Sequence, residues 1–317
     1  MTGAAASQAP QSSGLRHVFY PYQGQGQYLP GILGYVEMAR DQQANVLVCA
    51  PETRVNLLRD TLPDDGTVVF LDLAQLGRNP GVLIGAWQDW IVHCARDGRS
   101  VCGLNEAQWV GHNGALPSEV RYGEWLLNLA FARAPAWSLL CPYDTDGRSR
   151  QEVVAMARCH PLQWDGGGYV TAPDYTEGPY EFESLAEPPR EAESLPYSIT
   201  ELPLLRHTVT RWATRVGLSE DRTRDAVVAV SEVASNSIRH GGGKGLLRLW
   251  TTEESLICEL SDAGFISDPL AGRVRPSGEQ LGGRGLWFVN QLCDLVQIRS
   301  TPQEGTRMRL YIDLPDT

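Results

Sequence analysis

The run Ser231-Glu232-Val233-Ala234-Ser235-Asn236-Ser237-Ile238-Arg239-His240 sets an acid, an amide and an imidazole at four-residue intervals. On a helix that spacing brings Glu232, Asn236 and His240 to one face. Val227, Val228, Val230 and Ile238 occupy other positions and predict the side that packs on a sheet. An amide oxygen can ligate Mg2+, and a carboxylate one turn earlier can orient or deprotonate an attacking oxygen, so the stripe suits a metal–phosphate site. Taken alone it equally describes the solvated face of an amphipathic helix.

The flanking sequence narrows the choice. Helical periodicity covers 201–216 and 220–239, and Ser219 with Glu220 and Asp221 reads as an N-cap followed by acids suited to the helix dipole. Strand patterns follow at 245–252 and 255–262, then a glycine-containing loop, a short helix from Gly285, and strands at 295–299 and 306–314. Helices followed by strands predict an α+β layer. Asp262-Ala263-Gly264 ends a strand with a carboxylate able to accept from an exocyclic amine such as that of adenine, and with a glycine that lets a flat ring approach the backbone. Gly282-Gly283-Arg284-Gly285-Leu286 opens a helix and turns backbone N–H groups toward phosphate oxygens.

In this order and separation the segments resemble the GHKL ATP-binding fold, in its anti-sigma (Rsb-type) regulatory kinase branch. The matching points are Glu232-x-x-x-Asn236, Asp262-x-Gly264, Gly283-x-Gly285 and Gly305-Thr306, within 197–317. The resemblance implies that Asn236 coordinates Mg2+ bridging the phosphates of ATP and that Glu232 acts as base toward a Ser/Thr hydroxyl or water. It implies that Asp262 binds the adenine amine with Thr306 assisting through water, and that Gly264 admits the base. Gly283, Arg284 and Gly285 would wrap the phosphates beneath a lid at about 265–282. Relatives hold a sigma factor inactive and phosphorylate a STAS-type antagonist on Ser or Thr, and homodimers are common among them. One position departs from the pattern. Ile266 stands where many relatives carry the last glycine of D-x-G-x-G, and a β-branched residue resists positive φ. That departure predicts altered lid geometry and leaves a non-catalytic, nucleotide-dependent sigma-binding module as an alternative. A sensor histidine kinase is the other: it would use His207 on the first helix, which lacks a phosphoacceptor context.

The front half alternates strand and helix patterns. Strands are expected at 45–50, 67–71, 100–104 and 136–141, with helices at 28–43, 52–61, 81–96 and 118–133. The order predicts a mostly parallel α/β sheet, whose ligands sit beyond the carboxyl ends of the strands, near Asn105, Glu106, Tyr143 and Asp144. His17-Val18-Phe19-Tyr20, the run from Gly103 to Trp109, Tyr122-Gly123-Glu124-Trp125, Leu140-Cys141-Pro142-Tyr143-Asp144 and Cys159-His160-Pro161 resemble the MEDS sensory domain, a RecA-like α/β module, over 15–170. Its turn Gln23-Gly24-Gln25-Gly26-Gln27 lacks the Gly-Lys-[Ser/Thr] ending of a phosphate loop, which argues against ATP hydrolysis by this half. A small-molecule site drawing on His17, Glu106, Trp109, Tyr143, Asp144 and His160 is the expectation. The bland alternative is that the aromatics are core and that both histidines satisfy buried backbone groups.

Composition frames these readings. The chain has 317 residues and a net charge of -11, which argues against a protein built to hold nucleic-acid phosphates. Lys244 is its single lysine. Residues 171–196, acidic and proline-rich, read as a flexible linker between the two domains, and residues 1–14 as a disordered tail. No apolar run is long enough to span a membrane, so a cytoplasmic location is expected. The seven cysteines form no CxxC pair, and their spacing supports neither a zinc site nor a disulfide framework.

Overall fold

The computed structural model describes residues 14–76, 79–96, 98–106, 116–276 and 283–315. The chain divides into two compact units. One comprises Met1–Leu71, Ile91–Ala107 and Leu127–Glu177; the other comprises Asp72–Trp90, Gln108–Leu126 and Gly178–Thr317. The expected tail falls almost wholly outside the described residues.

The front sheet has seven strands: β1 (Leu15–Tyr22), β2 (Asn45–Ala50), β3 (Val68–Asp72), β4 (Val101–Asn105), β5 (Trp137–Asp144), β6 (Leu162–Trp164) and β7 (Tyr169–Thr171), in the order β3-β2-β4-β5-β1-β6-β7. Pairings of β1 with β5 and β6, and of β4 with β2 and β5, are parallel; β6 and β7 pair antiparallel. The fold is thus a mixed, parallel-rich α/β sheet. Its helices are α1 (Gly24–Asp41), α2 (Glu52–Thr61), the four-residue α3 (Leu73–Leu76), α4 (Leu83–Arg96), α5 (Leu116–Ala130) and α6 (Arg150–Ala157). Strands β2 and β4 are buried along their whole length, as apolar strands covered on both faces should be. Hydropathy reading lists neither β1 nor the short β6 and β7 as strands, and β1 is the longest of these. It carries His17, Tyr20 and Tyr22, yet its pairing with β5 runs from Leu15 opposite Trp137 to Tyr22 opposite Asp144.

The second sheet is antiparallel throughout: β8 (Glu193–Ser198), β9 (Lys244–Thr251), β10 (Ser255–Asp262), β11 (Leu295–Thr301) and β12 (Gly305–Asp313), ordered β11-β12-β10-β9-β8. Helices α7 (Leu202–Arg215), α8 (Glu220–His240) and α9 (Arg284–Leu292) complete it. Ala229, Val230 and Val233 of α8 share a core with Leu205, Val209, Leu260 and Leu310. Ser219 caps α8 by accepting from the Arg222 amide at 3.2 Å. The buried stripe of α8 is Ala226, Ala229, Val230, Val233, Ala234 and Ser237, whereas Val228 is 46% exposed. The 3.6-residue period wins over the apolarity of one valine.

Two features correct the linker expectation. β8 begins inside the proline-rich stretch, with Pro196 on the outermost strand, the place in a sheet that tolerates proline. The preceding acidic segment is extended but tied down. Arg309 donates to the Ala186 carbonyl at 2.6 Å, Arg299 to the Glu183 carbonyl at 3.2 Å, and Arg307 pairs with Glu187 at 3.0 Å. Arginines on β11 and β12 thus offset the repulsion among the acids.

Candidate functional site

Strand register assembles the site of the second unit. Asp262 ends β10 directly opposite Thr306 of β12, and Thr306 lies opposite Ser300 of β11. One carboxylate oxygen of Asp262 accepts from the Gly264 amide at 2.7 Å, and the other from the Ser237 hydroxyl at 2.6 Å. Tyr197 donates to that same serine at 2.9 Å; burial, more than the nearby Asp262, pushes its phenol up to about 12. A carboxylate has about four lone-pair positions, so Asp262 is oriented by two bonds and keeps acceptor capacity toward the cavity.

A relay of hydroxyls fixes the loop beyond Asp262. The Ile266 amide donates to Ser300 at 2.9 Å, Ser300 to Thr306 at 2.7 Å, and Thr306 to the Gly264 carbonyl at 2.8 Å. Thr306, 3% exposed, therefore anchors the loop through the proton that the resemblance assigns to a water-mediated role. Ile266 has no positive φ: among the described non-glycine residues only Gln43 does. Its side chain packs against the domain core instead. The loop here takes a path open to any residue, as a β-branched side chain requires.

Glycines clear the space. A Cβ on Gly264 would lie 2.8 Å from the His240 carbonyl, and one on Gly285 would lie 2.6 Å from a Glu232 carboxylate oxygen. Gly283 has φ 83° and forms the N-cap of α9, a left-handed conformation that favours glycine. The result is a cavity of about 950 Å³ whose lining includes Glu232, Asn236, Asp262, Gly264, Gly285 and Thr306. Gly283 and the exposed Arg284 line it too. A volume of this size suits a nucleotide-sized ligand. Glu232 and Asn236 are half-buried one turn apart, and His240 is the exposed last residue of α8. His207 is exposed on α7. Of the expected lid, residues 277–282 lie outside the described residues.

Sequence reading misses Ser237, Ser300 and Tyr197. Ser237 did carry a signal, since it is a hydroxyl on the apolar stripe of α8, four residues after Val233. Ser300 and Tyr197 become relevant only through strand register.

The same unit includes segments from the front half of the chain. Glu119 of α5 is buried and receives Arg299 at 2.8 Å and Arg273 at 3.7 Å. Arg275 pairs with Asp89 of α4 at 3.0 Å. Asn79 donates to the Asn290 carbonyl of α9 at 2.9 Å, and Asn290 donates to the Gly272 carbonyl at 3.1 Å. The loop that follows Gly264 is thus held by Asp89 and Glu119 directly, and by Asn79 through Asn290.

In the first unit, the expected ligand-sensing residues separate. His17, Phe19, Cys141 and Tyr143 share one sheet face by strand alternation and register. His160 joins them, its ring 4.0 Å from that of His17 and 5.8 Å from that of Tyr143. Glu106 belongs to another cluster, receiving Tyr28 at 2.6 Å, Arg54 at 3.1 Å and Tyr22 at 3.3 Å. Tyr22 is five residues from His17 along β1, about 16 Å, and faces the opposite side of the sheet. Burial, opposed by Tyr28 and Arg54, raises the Glu106 carboxyl above its usual range. Asp144 is half-buried at the end of β5, and its carboxylate accepts from the Asp146 amide at 3.0 Å. The period of two in β1 is why one predicted site is two clusters. Trp109 lies outside the described residues.

Two family models match the chain. Residues 16–161 match the MEDS (methanogen/methylotroph, DcmR) sensory domain, and residues 195–312 match the histidine kinase-like ATPase domain. The chain joins a MEDS domain to a GHKL-type ATPase domain. The serine-protein kinase RsbW of Staphylococcus aureus is 26% identical over 133 residues, which is 37% of this chain and 84% of that protein. A crystal structure of the RsbU and RsbW domains of a Mycobacterium tuberculosis protein is 17% identical, with a TM-score of 0.30 over 39% of this chain. The chain spans about a third of the length of that structure (33%). Among the described residues no helix is long and apolar enough to cross a membrane.

Proposed function

We propose that this chain is a signal-responsive anti-sigma factor with serine/threonine kinase activity, acting in the cytoplasm. One observation carries the reading: Glu232, Asn236, Asp262, Gly264, Gly285 and Thr306 meet around a single cavity that glycines keep open. Mg·ATP would supply the transferable phosphoryl group and the cation that neutralises its charge. Asn236 would hold Mg2+ through its amide oxygen. Asp262, already oriented by Ser237 and Gly264, would accept from the adenine amine. Gly283, Arg284 and Gly285 would face the phosphates at the start of α9. Glu232 would take the proton of an incoming Ser or Thr hydroxyl on a STAS-type antagonist, while the free form of the domain sequesters a sigma factor.

Regulation by the MEDS domain is part of the proposal. Support comes from the attachment of the loop 265–276 to Asp89 and Glu119, which lie within the MEDS match. A small-molecule signal that shifts α4 or α5 would reach the mouth of the cavity through Arg275 and Arg273. The non-catalytic alternative rests on Ile266, and the labelling experiment below separates it from the kinase reading.

The test is transfer from labelled Mg·ATP to a STAS-type antagonist. Label should appear on a Ser or Thr of the antagonist and fall at least about 100-fold with Glu232→Gln, the usual scale for a lost general base. An unlabelled antagonist, or equal labelling by the variant, contradicts the kinase reading.

A further inference from the structure

Cys141, His17 and His160 are completely buried in the first unit, and no part of the nucleotide reading uses them. One ring nitrogen of each histidine and the sulfur of Cys141 lie within 4.8 Å of one another. The Cys141 sulfur is 3.3 Å from Nε2 of His17. A tetrahedral Zn2+ with bonds near 2.3 Å to sulfur and 2.0 Å to nitrogen holds its donor atoms about 3.3–3.6 Å apart. The cluster therefore needs only a small contraction to close on an ion.

The surrounding hydrogen bonds set the chemistry of both rings. Asn128 donates its amide to the Cys159 carbonyl at 2.6 Å, which turns its oxygen toward Nδ1 of His17 at 3.2 Å. An amide oxygen can only accept, so Nδ1 of His17 carries the proton and Nε2 carries the lone pair. His160 behaves in the same way, with Nδ1 3.0 Å from the Met156 carbonyl. Each imidazole thus has Nδ1–H held by an oxygen and Nε2 basic, the arrangement found around metal-ligating histidines. The bland reading, a buried histidine satisfying the backbone, explains one nitrogen of His160 but neither the Asn128 relay nor the convergence on a thiol.

We propose that His17, Cys141 and His160 bind a borderline-soft divalent cation of the Zn2+ class, with Asn128 positioning His17. Cys141 enters as the thiolate and its proton passes to solvent. The absence of a CxxC pair conceals the site from sequence, because its donors come from β1, β5 and the turn after α6.

The test uses the untagged full chain, stripped with a chelator, then titrated with Zn2+ against a chromophoric competitor and separately with Co2+. One ion per chain is expected, with a thiolate-to-cobalt charge-transfer band in the near ultraviolet. Cys141→Ser should abolish the band and weaken Zn2+ binding more than about 100-fold, and His160→Gln should weaken it to a similar degree. Asn128→Ala should weaken it about 10–100-fold and keep the band, the behaviour of a residue that orients a ligand. Cys49→Ser, another buried cysteine, should change neither measurement. Circular dichroism identifies the folded variants, and should Cys141→Ser not fold, the wild-type cobalt spectrum with Asn128→Ala and His160→Gln decides. A folded wild type that binds neither ion, or a cobalt spectrum lacking the thiolate band, overturns the proposal.

Discussion

The cavity at the end of α8 and the buried cluster on β1 use polar side chains in opposite ways. Around the cavity, Glu232, Asn236 and Asp262 are half-buried, and the two hydrogen bonds to Asp262 leave it acceptor capacity facing an open volume of about 950 Å³. In the buried cluster, His17, Cys141 and His160 have no exposure, and the outer hydrogen bonds of the two histidines aim their remaining ring nitrogens toward the thiol. The first arrangement admits a large ligand that exchanges. The second has room for a single ion held within a core. Orientation by a neighbour is common to both: Ser237 does for Asp262 what Asn128 does for His17.

This contrast can be broken by experiment. The largest effect is expected from Asp262→Ala, which should weaken adenine-nucleotide binding by about 100-fold or more and leave Zn2+ binding unchanged. Paired calorimetric titrations check this, and a parallel loss of both ligands would mean that the two sites are not separate. Next comes Gly305→Ala. Gly305 has φ 78°, and a Cβ there would strike the Asp262 carbonyl. The substitution should cost about 2 kcal/mol or more of stability in denaturant unfolding, and a neutral result would contradict the described turn. Ser237→Ala removes the hydrogen bond to the Asp262 carboxylate, worth roughly 1.5 kcal/mol, together with the one Ser237 accepts from Tyr197, so nucleotide affinity should fall about tenfold while the domain stays folded. Equal affinity would reduce Ser237 to packing.

The smallest effect concerns Glu106. Burial raises its folded-state carboxyl above the ordinary 4.5. A group raised in the folded state contributes stability that is complete below the unfolded value and is lost as pH rises through the folded one. Glu106→Gln should therefore gain on wild type by a few degrees in Tm as pH increases upward from 4.5. A gap that is constant with pH would show that Arg54 and Tyr28 offset burial fully.

The legibility of each region follows from its geometry. The nucleotide cavity is built from residues a turn or a tight loop apart: Glu232 and Asn236 on one helix, Asp262 and Gly264 at one strand end, Gly283 and Gly285 at one helix start. Local spacing fixes those relations, so they can be read from sequence. Thr306, Ser300 and Tyr197 reach the site through antiparallel register, which no local pattern encodes. The front half depends on register more heavily. Phe19 lies opposite Cys141, and only that pairing brings His17 and Cys141 to one face. The helix 52–61 and the strand 45–50 were fully readable because their apolar periods are clean. β1 mixes aromatic and polar residues and was not. The acidic stretch looked free because its partners, Arg299, Arg307 and Arg309, lie more than a hundred residues away in sequence.

The central claim is that the cavity among Asn236, Asp262 and Gly285 holds magnesium-bound adenine nucleotide. Isothermal titration of the full chain with ATP, in the presence and absence of Mg2+, tests it most directly. The account expects saturable binding near one nucleotide per chain that depends on Mg2+ in wild type and loses that dependence in Asn236→Ala. Wild-type protein that gives no saturable heat with Mg·ATP, or an Asn236→Ala variant with unchanged Mg2+ dependence, would contradict it.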